Sequence, residues 1–383
     1  MIKDVCRIKG VLTVRNKETF GRCLFFSLIF LLGLGSTTVG FAVKETLTGP
    51  PPAFPEKPDA GLLGTEELTA HISLTSEAVS SAYLPIIVSP PAVSLWIDTQ
   101  SRTAVQQYYL TEYLASEGVA AGWTGNHGNC QPGTTTLVFR EAVLRRINYF
   151  RAMAGIAPVT GFNETYNSKA QAAALMMSVN GSLSHSPPTS WLCYTDDGHS
   201  GAGSSNLYLG IYGPSAISGY IRDPGASNYF VGHRRWILYP QTQYMGTGDI
   251  PPEGGYAAAN ALWVFDTANM WEPRPPTREA YIAWPPPGYV PYQVVFPRWS
   301  FAYDDADLSN ATVTITRDGQ PIGITLSPVV NGYGENTLVW ELDAAIPQPP
   351  GNDMAFNVTI RNVSINGSLQ EFSYEVTVFD PNT

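Results

Sequence analysis

"NYFVGHRRWILYP" (residues 228–240) places one imidazole, two guanidiniums and a tryptophan in a single short run closed by Pro240. Its large apolar residues follow one another without a helical stripe, so the run reads as a strand. Alternation then sets Trp236 and Leu238 on one face and Ile237 on the other. "YMGTGD" (244–249) and "NALWVFD" (260–266) extend the same reading into further strands and turns. Everything upstream of 228 reads as helix and loop, and the mixture predicts an α+β fold for this part of the chain.

Moving outward, "AVQQYYLTEYLASEG" (104–118) sets Val105, Tyr108, Tyr109, Tyr113 and Leu114 near one helical face. "GWTGNHGNCQPGT" (122–134) is a Gly-rich loop carrying Cys130. "LVFREAVLRRINYFRAMAG" (137–155) repeats apolar residues at steps of three and four: Phe139, Ala142, Val143, Ile147, Phe150 and Met153. Arg140, Arg145, Arg146 and Arg151 lie mostly off that stripe, and Gly155 is a stop signal. A second helix covers 166–180 before Gly181, and a third covers 215–223 before Pro224 and Gly225.

A Pro-rich stretch at 271–284 changes the pattern to period two. "ATVTITRDGQPIGITL" (311–326) reads as a hairpin turning at Asp318-Gly319. "TLVWEL" (337–342), "AFNVTI" (355–360) and "FSYEVTVFD" (372–380) alternate apolar and polar residues. Residues 285–383 therefore read as an Ig-like β-sandwich that folds independently. "DDADLSN" (304–310) lacks the central Gly and closing Glu of a calcium-binding loop.

At the other end, a basic front (Lys3 to Arg22), the apolar run "LFFSLIFLLGLG" from Leu24 and "GFA" at 40–42 form the pattern of a secretory signal, with cleavage expected after Ala42. Residues 43–99 read as a Pro- and Ser-rich spacer. Without the signal, 16 basic residues stand against 30 acidic, a net charge of −14. Such a chain is a poor ligand for nucleic acid. No second apolar run approaches spanning length, so no membrane span is expected after cleavage. Cys130 and Cys193 are the two cysteines left, and an even pair in an exported protein reads as one disulfide.

The sequence contains no HExxH, GxSxG, Walker or GxGxxG motif. It offers separated elements instead: "SLSHSPP" with His185, "GAGSSNLYLG" with Ser205 and Asn206, "AISGYIRD" with Asp223, and "VGHRRWIL" with His233. Their order resembles the CAP superfamily, the cysteine-rich secretory, antigen 5 and pathogenesis-related-1 proteins. The likeness covers roughly 100–270 and is closest to the exported bacterial branch, which often carries an extra β domain.

The resemblance implies an α-β-α sandwich in which two histidines and two acidic residues line one cleft. His185 and His233 fall on the histidine positions, where they would bind a divalent cation such as zinc. Asp223 falls on one acidic position, as a candidate general base. Ser205 falls on the other and replaces the family's glutamate. Asn206, Arg234 and Arg235 are candidate binding residues, one arginine being able to pair with Asp223. Asp196, Asp197 and His199 lie in the long loop before Ser205 and are alternatives for completing the site. Three functions fit: an exported, non-catalytic module binding a cation and a lipid, glycan or peptide; a metal-dependent extracellular hydrolase; or a structural surface protein with a degenerate site. The missing glutamate favours the first and third, because a hydrolase needs a positioned base and an activated water.

Overall fold

The computed structural model describes residues 5–8, 11–14, 54–55 and 96–383. Near the N-terminus, β1 (Val5–Ile8) and β2 (Val11–Val14) pair antiparallel as a unit of their own. The apolar run from Leu24, the expected cleavage point and nearly all of the 43–99 spacer lie outside the described residues.

The α-β-α part begins at α1 (Arg102–Tyr108), capped by the Ser101 hydroxyl. It runs on through a π-helical turn (Tyr109–Tyr113) and a 3₁₀ turn (Leu114–Ser116). α2 (Leu137–Met153) starts where Thr136 accepts the Phe139 N–H, and it buries the apolar stripe read from the sequence. That buried face is wider than the stripe. Arg146 is buried under the Tyr113 ring, and Arg151 donates to the carbonyls of Ile237, Tyr239 and Thr242.

Next come β3 (Gly161–Phe162), α3 (Glu164–Asn180), α4 (Asp196–Gly203), β4 (Ser205–Leu209) and α5 (Pro214–Arg222), followed by α6 (Gly232–Ile237), β5 (Tyr244–Ile250) and β6 (Ala259–Trp263). Asn163 caps the start of α3, and Gly181 ends it in the left-handed conformation at φ 58°. The sheet order is β3-β5-β6-β4. α3 lies on one face, and its approach is very close. A Cβ on Gly248 would overlap the Ala170 carbonyl, so the glycines of "YMGTGD" admit the helix backbone itself. α2 and α5 cover the other face, where Tyr208 meets Tyr220 edge-on at 5.7 Å.

Residues 232–237 are helical, which corrects the strand expected there. All six residues are buried, so no exposed polar face marks the helix in the sequence. Its free N–H groups are satisfied from a distance. Asp223 Oδ2 accepts from His233 N at 2.9 Å and from Arg234 N at 3.4 Å, supplying the cap that Val231 cannot.

The C-terminal part contains β7 (Ile282–Trp284), β8 (Gly288–Pro291), β9 (Arg298–Tyr303), β10 (Thr312–Arg317), β11 (Gln320–Ile322), β12 (Ile324–Leu326), β13 (Asn336–Leu342), β14 (Met354–Ile365) and β15 (Ser368–Phe379). One sheet is β11-β10-β14-β15-β8 and the other β12-β13-β9-β7. Trp299 and Phe356 meet between them at 5.6 Å. The chain changes sheets across Gly323 alone.

The expected linker at 271–284 contains β7, which pairs with β9, so a boundary at 284/285 cuts the sandwich. The apolar core is also continuous across it: Phe150 of α2 packs edge-on against Trp284 at 5.2 Å. Arg102 of α1 reaches Asp353 and the carbonyls of Asp380 and Thr383.

Candidate functional site

α5 ends at Asp223, a fully buried residue in the left-handed conformation at φ 53°. Its Oδ1 accepts the His233 Nδ1–H at 2.7 Å, while Oδ2 caps α6. Both carboxylate oxygens are therefore engaged. Asp223 holds His233 in one tautomer and one orientation, which leaves Nε2 bare. Tyr220 stacks on the imidazole at 5.5 Å and anchors its own hydroxyl on Asn260 Oδ1 at 2.7 Å. The turn that carries Asp223 is gripped from the sandwich, where Arg298 donates to the carbonyls of Asp223 and Gly225.

His185 lies in the loop after α3. Its Nδ1 donates to the Ala202 carbonyl at 2.8 Å, so this ring too keeps Nε2 as a lone pair. Burial pushes its pKa down to about 4; the Ala202 bond opposes that shift, and repulsion from His233 adds to it. The two imidazoles, 48 residues apart in sequence, are thus within electrostatic reach of one another.

β4 sorts the next two candidates. Asn206 pairs in register with Leu262, on the face covered by α5 and α6, and donates through Nδ2 to the His233 carbonyl at 3.1 Å. Its buried Oδ1 has no hydrogen-bond partner among the described residues. Ser205 pairs with Trp263, which stacks on Tyr166 of α3. Ser205 therefore faces the opposite side of the sheet from Asn206, because neighbouring strand residues point to opposite faces.

Arg234 and Arg235 are buried where the helices meet the sandwich. Arg234 donates to Ile221 O, Ser300 Oγ and Arg298 O, and Arg235 to Val330 O and Glu335 O. Neither is hydrogen-bonded through its side chain to Asp223. They fasten two parts of the fold together, contrary to the binding role expected of them.

The alternatives in the long loop stay outside the cleft. Asp196 and Asp197 sit in the exposed first turn of α4, where Asp197 approaches Lys169 at 3.7 Å. His199 lies against Tyr194, with ring centres 6.0 Å apart. A Cys130–Cys193 disulfide ties this loop to the Gly-rich loop, as expected, with a Cα–Cα distance of 5.1 Å. Across a separation of 63 residues, chain entropy alone makes such a bridge worth about 4 kcal/mol.

Among the described residues no three His, Cys, Asp or Glu side chains are grouped to hold a metal ion. Two imidazole nitrogens are available, with Asp223 behind one of them as an orienting carboxylate. A structural zinc site with four protein ligands does not fit this set. A cation held by two nitrogens, with its other positions open, does.

Residues 144–266 match the family model described as CAP, the cysteine-rich secretory protein family. Among solved structures, PcoC, a methionine-rich copper resistance protein from Escherichia coli, is similar at 14% identity and a TM-score of 0.20, over 25% of this chain and 92% of that one. Its selenomethionine form gives 13% identity, a TM-score of 0.20 and coverage of 25% and 94%. Likenesses this slight carry no argument. No curated protein matches the chain.

Proposed function

We propose that this chain, which carries a CAP domain over residues 144–266, is exported and acts as a non-catalytic binding module. Its cleft takes a divalent cation of the zinc class through Nε2 of His185 and Nε2 of His233. The cation's remaining positions are open to water or to an oxygen of a small ligand. One observation carries this reading: each imidazole spends its Nδ1–H on a fixed internal acceptor, Ala202 O or Asp223 Oδ1. Two neutral rings so arranged offer lone pairs and no donors, which suits a cation. The hydrolase reading is weaker, because the carboxylate assigned as base already accepts from His233 Nδ1 and caps α6. The signal pattern, the disulfide and the acidic balance support export.

Calorimetric titration with zinc tests the reading. His185→Ala and His233→Ala should each abolish binding. Asp223→Asn should weaken it by roughly 10–100-fold, the usual scale for a residue that orients a metal-bound imidazole. Ser205→Glu should leave the affinity of the folded protein unchanged, since position 205 faces the opposite side of the sheet from Asn206. Wild-type affinity in both histidine variants would overturn the proposal, and a gain in Ser205→Glu would show that the serine does reach the cleft.

A further inference from the structure

A cavity of about 360 Å³ opens where the helical part meets the sandwich. Phe54, Tyr239 and Trp271 form its aromatic wall. Phe54 is pinned there from far upstream: its N–H donates to Gly332 O at 3.1 Å, and its ring lies 5.1 Å from Trp271 and 5.6 Å from Tyr239. The rest of the lining is charged. Glu272, Asp304, Asp305 and Glu335 stand against a single cation, Arg274.

Two buried acceptors in this wall are short of partners. Glu335 gives Oε1 to Arg274 Nε, yet its Oε2 is buried with no hydrogen bond among the described residues. Its side chain is 2% exposed. Gln241, also in the wall and 8% exposed, has a buried Oε1 in the same condition. Burial, with Asp304 and Asp305 nearby, raises the Glu335 pKa against the pull of Arg274. Asp304 is raised too, by burial first and then by Asp305. Unpartnered buried acceptors cost stability, so their persistence in a cavity wall points to a donor that arrives with a ligand.

The acidic groups are not clustered closely enough to hold a metal ion. A broader cation fits both walls. Its charged head would face the carboxylates and the Gln241 amide oxygen, and its apolar stem would lie along the rings, where cation–π attraction adds to burial. We infer that this junction cavity binds an organic cation, an alkylammonium or guanidinium group on an apolar stem, as found on free amines and on lysine and arginine side chains. The acidic surface of the chain draws such ligands in from a distance. The site is separate from the imidazole cleft and stands or falls without it.

The test titrates the full chain with cadaverine, agmatine and the blocked tripeptide acetyl-Gly-Lys-Gly-amide, read by calorimetry and tryptophan fluorescence. Saturable binding that weakens as salt rises is expected. Asp304 is partly exposed and Asp305 exposed, so an Asp304→Asn/Asp305→Asn variant should keep its melting curve and lose affinity by roughly tenfold or more. Trp271→Ala should lose roughly 2- to 30-fold. Binding of the tripeptide at far lower concentration than the amines would assign the site to protein side chains, and the reverse order to free amines. Calcium binding with no response to any amine would overturn the inference. So would amine binding left unchanged in both Asp304→Asn/Asp305→Asn and Glu335→Gln.

Discussion

α6 has two sides, and they treat polar groups in opposite ways. On the cleft side, His233 is fixed by Asp223 through Nδ1 and keeps Nε2 without a hydrogen-bond partner among the described residues. On the junction side, Arg234 places Nε and both terminal nitrogens on internal acceptors, and Arg235 places both terminal nitrogens on carbonyls. Consecutive residues of one short helix thus serve different ends. A buried cation whose terminal nitrogens are all taken up by internal oxygens is a fastener, even though Arg235 Nε is buried without a hydrogen-bond partner among the described residues. A buried ring with one nitrogen anchored still has a lone pair to offer, which is what the proposed cation would use. Degree of saturation separates the two roles better than residue type does, since histidine and arginine are both common ligand-binding residues.

If the junction is a fastener, the sandwich should not stand without it. A fragment of residues 285–383 lacks β7, the two arginines and the α1 contacts made by Arg102. It should show no cooperative melt by circular dichroism, whereas residues 96–383 should melt as one unit. A sharp melt of the short fragment would break the comparison at its strongest point, because the arginines would then join two parts that need no joining.

Next in size is Arg234→Ala. It leaves the acceptors on Ile221, Ser300 and Arg298 unpaired in a buried setting and opens a hole the size of a guanidinium. The loss should be about 3–5 kcal/mol in urea unfolding of the full chain. Zinc affinity of the protein that remains folded should hardly change, because Asp223 still caps α6 through backbone N–H groups and still orients His233. A loss below about 0.5 kcal/mol, within the range of ordinary surface substitutions, would mean that the acceptors find other partners. Loss of zinc binding without loss of stability would merge the two sides of the helix into one site.

Much of this architecture is legible in the sequence, and the failures have a common cause. α2 shows itself by three- and four-residue spacing, α3 by an Ala-, Leu- and Met-rich run that Gly181 ends, and β14 and β15 by alternation. Those signals are local, and apart from the α3 composition they need one solvent-facing side. α6 has none, being buried all round and capped by a carboxylate from ten residues back, so its run of large apolar residues mimics a strand. α4 is hidden for a different reason. Its glycines disfavour a helix, yet they are what lets it lie against α3, since a Cβ on Gly201 would overlap the Lys169 carbonyl. At the site, His185, His233 and Asp223 are identifiable from motif order. The division of labour between Ser205 and Asn206 is not, because a single residue of strand register decides which faces α6. Burial of Arg146, Arg151, Arg234 and Arg235 has no sequence signal at all. Their partners are largely carbonyl oxygens, which every residue carries.

The smallest expected effect concerns the cleft side alone. His185 is held neutral, with a pKa of about 4 against 6.5 for an unperturbed histidine, chiefly by burial. The unfolded chain therefore binds more protons at this residue than the folded chain between those values. Its contribution to stability is complete above pH 6.5 and is lost as pH falls toward 4. Because the ring is only half-buried, solvent limits the effect to about 1 kcal/mol. His185→Asn isolates it: the amide can still donate to Ala202 O, while nothing at position 185 titrates. Urea unfolding at pH 7 and at pH 4.5 should show the wild type losing about 1 kcal/mol more than His185→Asn on acidification. Asp249, Asp304 and Glu335, whose pKa values are raised by burial, cancel from this difference because both proteins carry them. Equal losses in the two proteins would mean that His185 gains its proton freely in the folded state. The cleft would then lose the His185 lone pair at mildly acidic pH, and zinc should leave it well before pH 5.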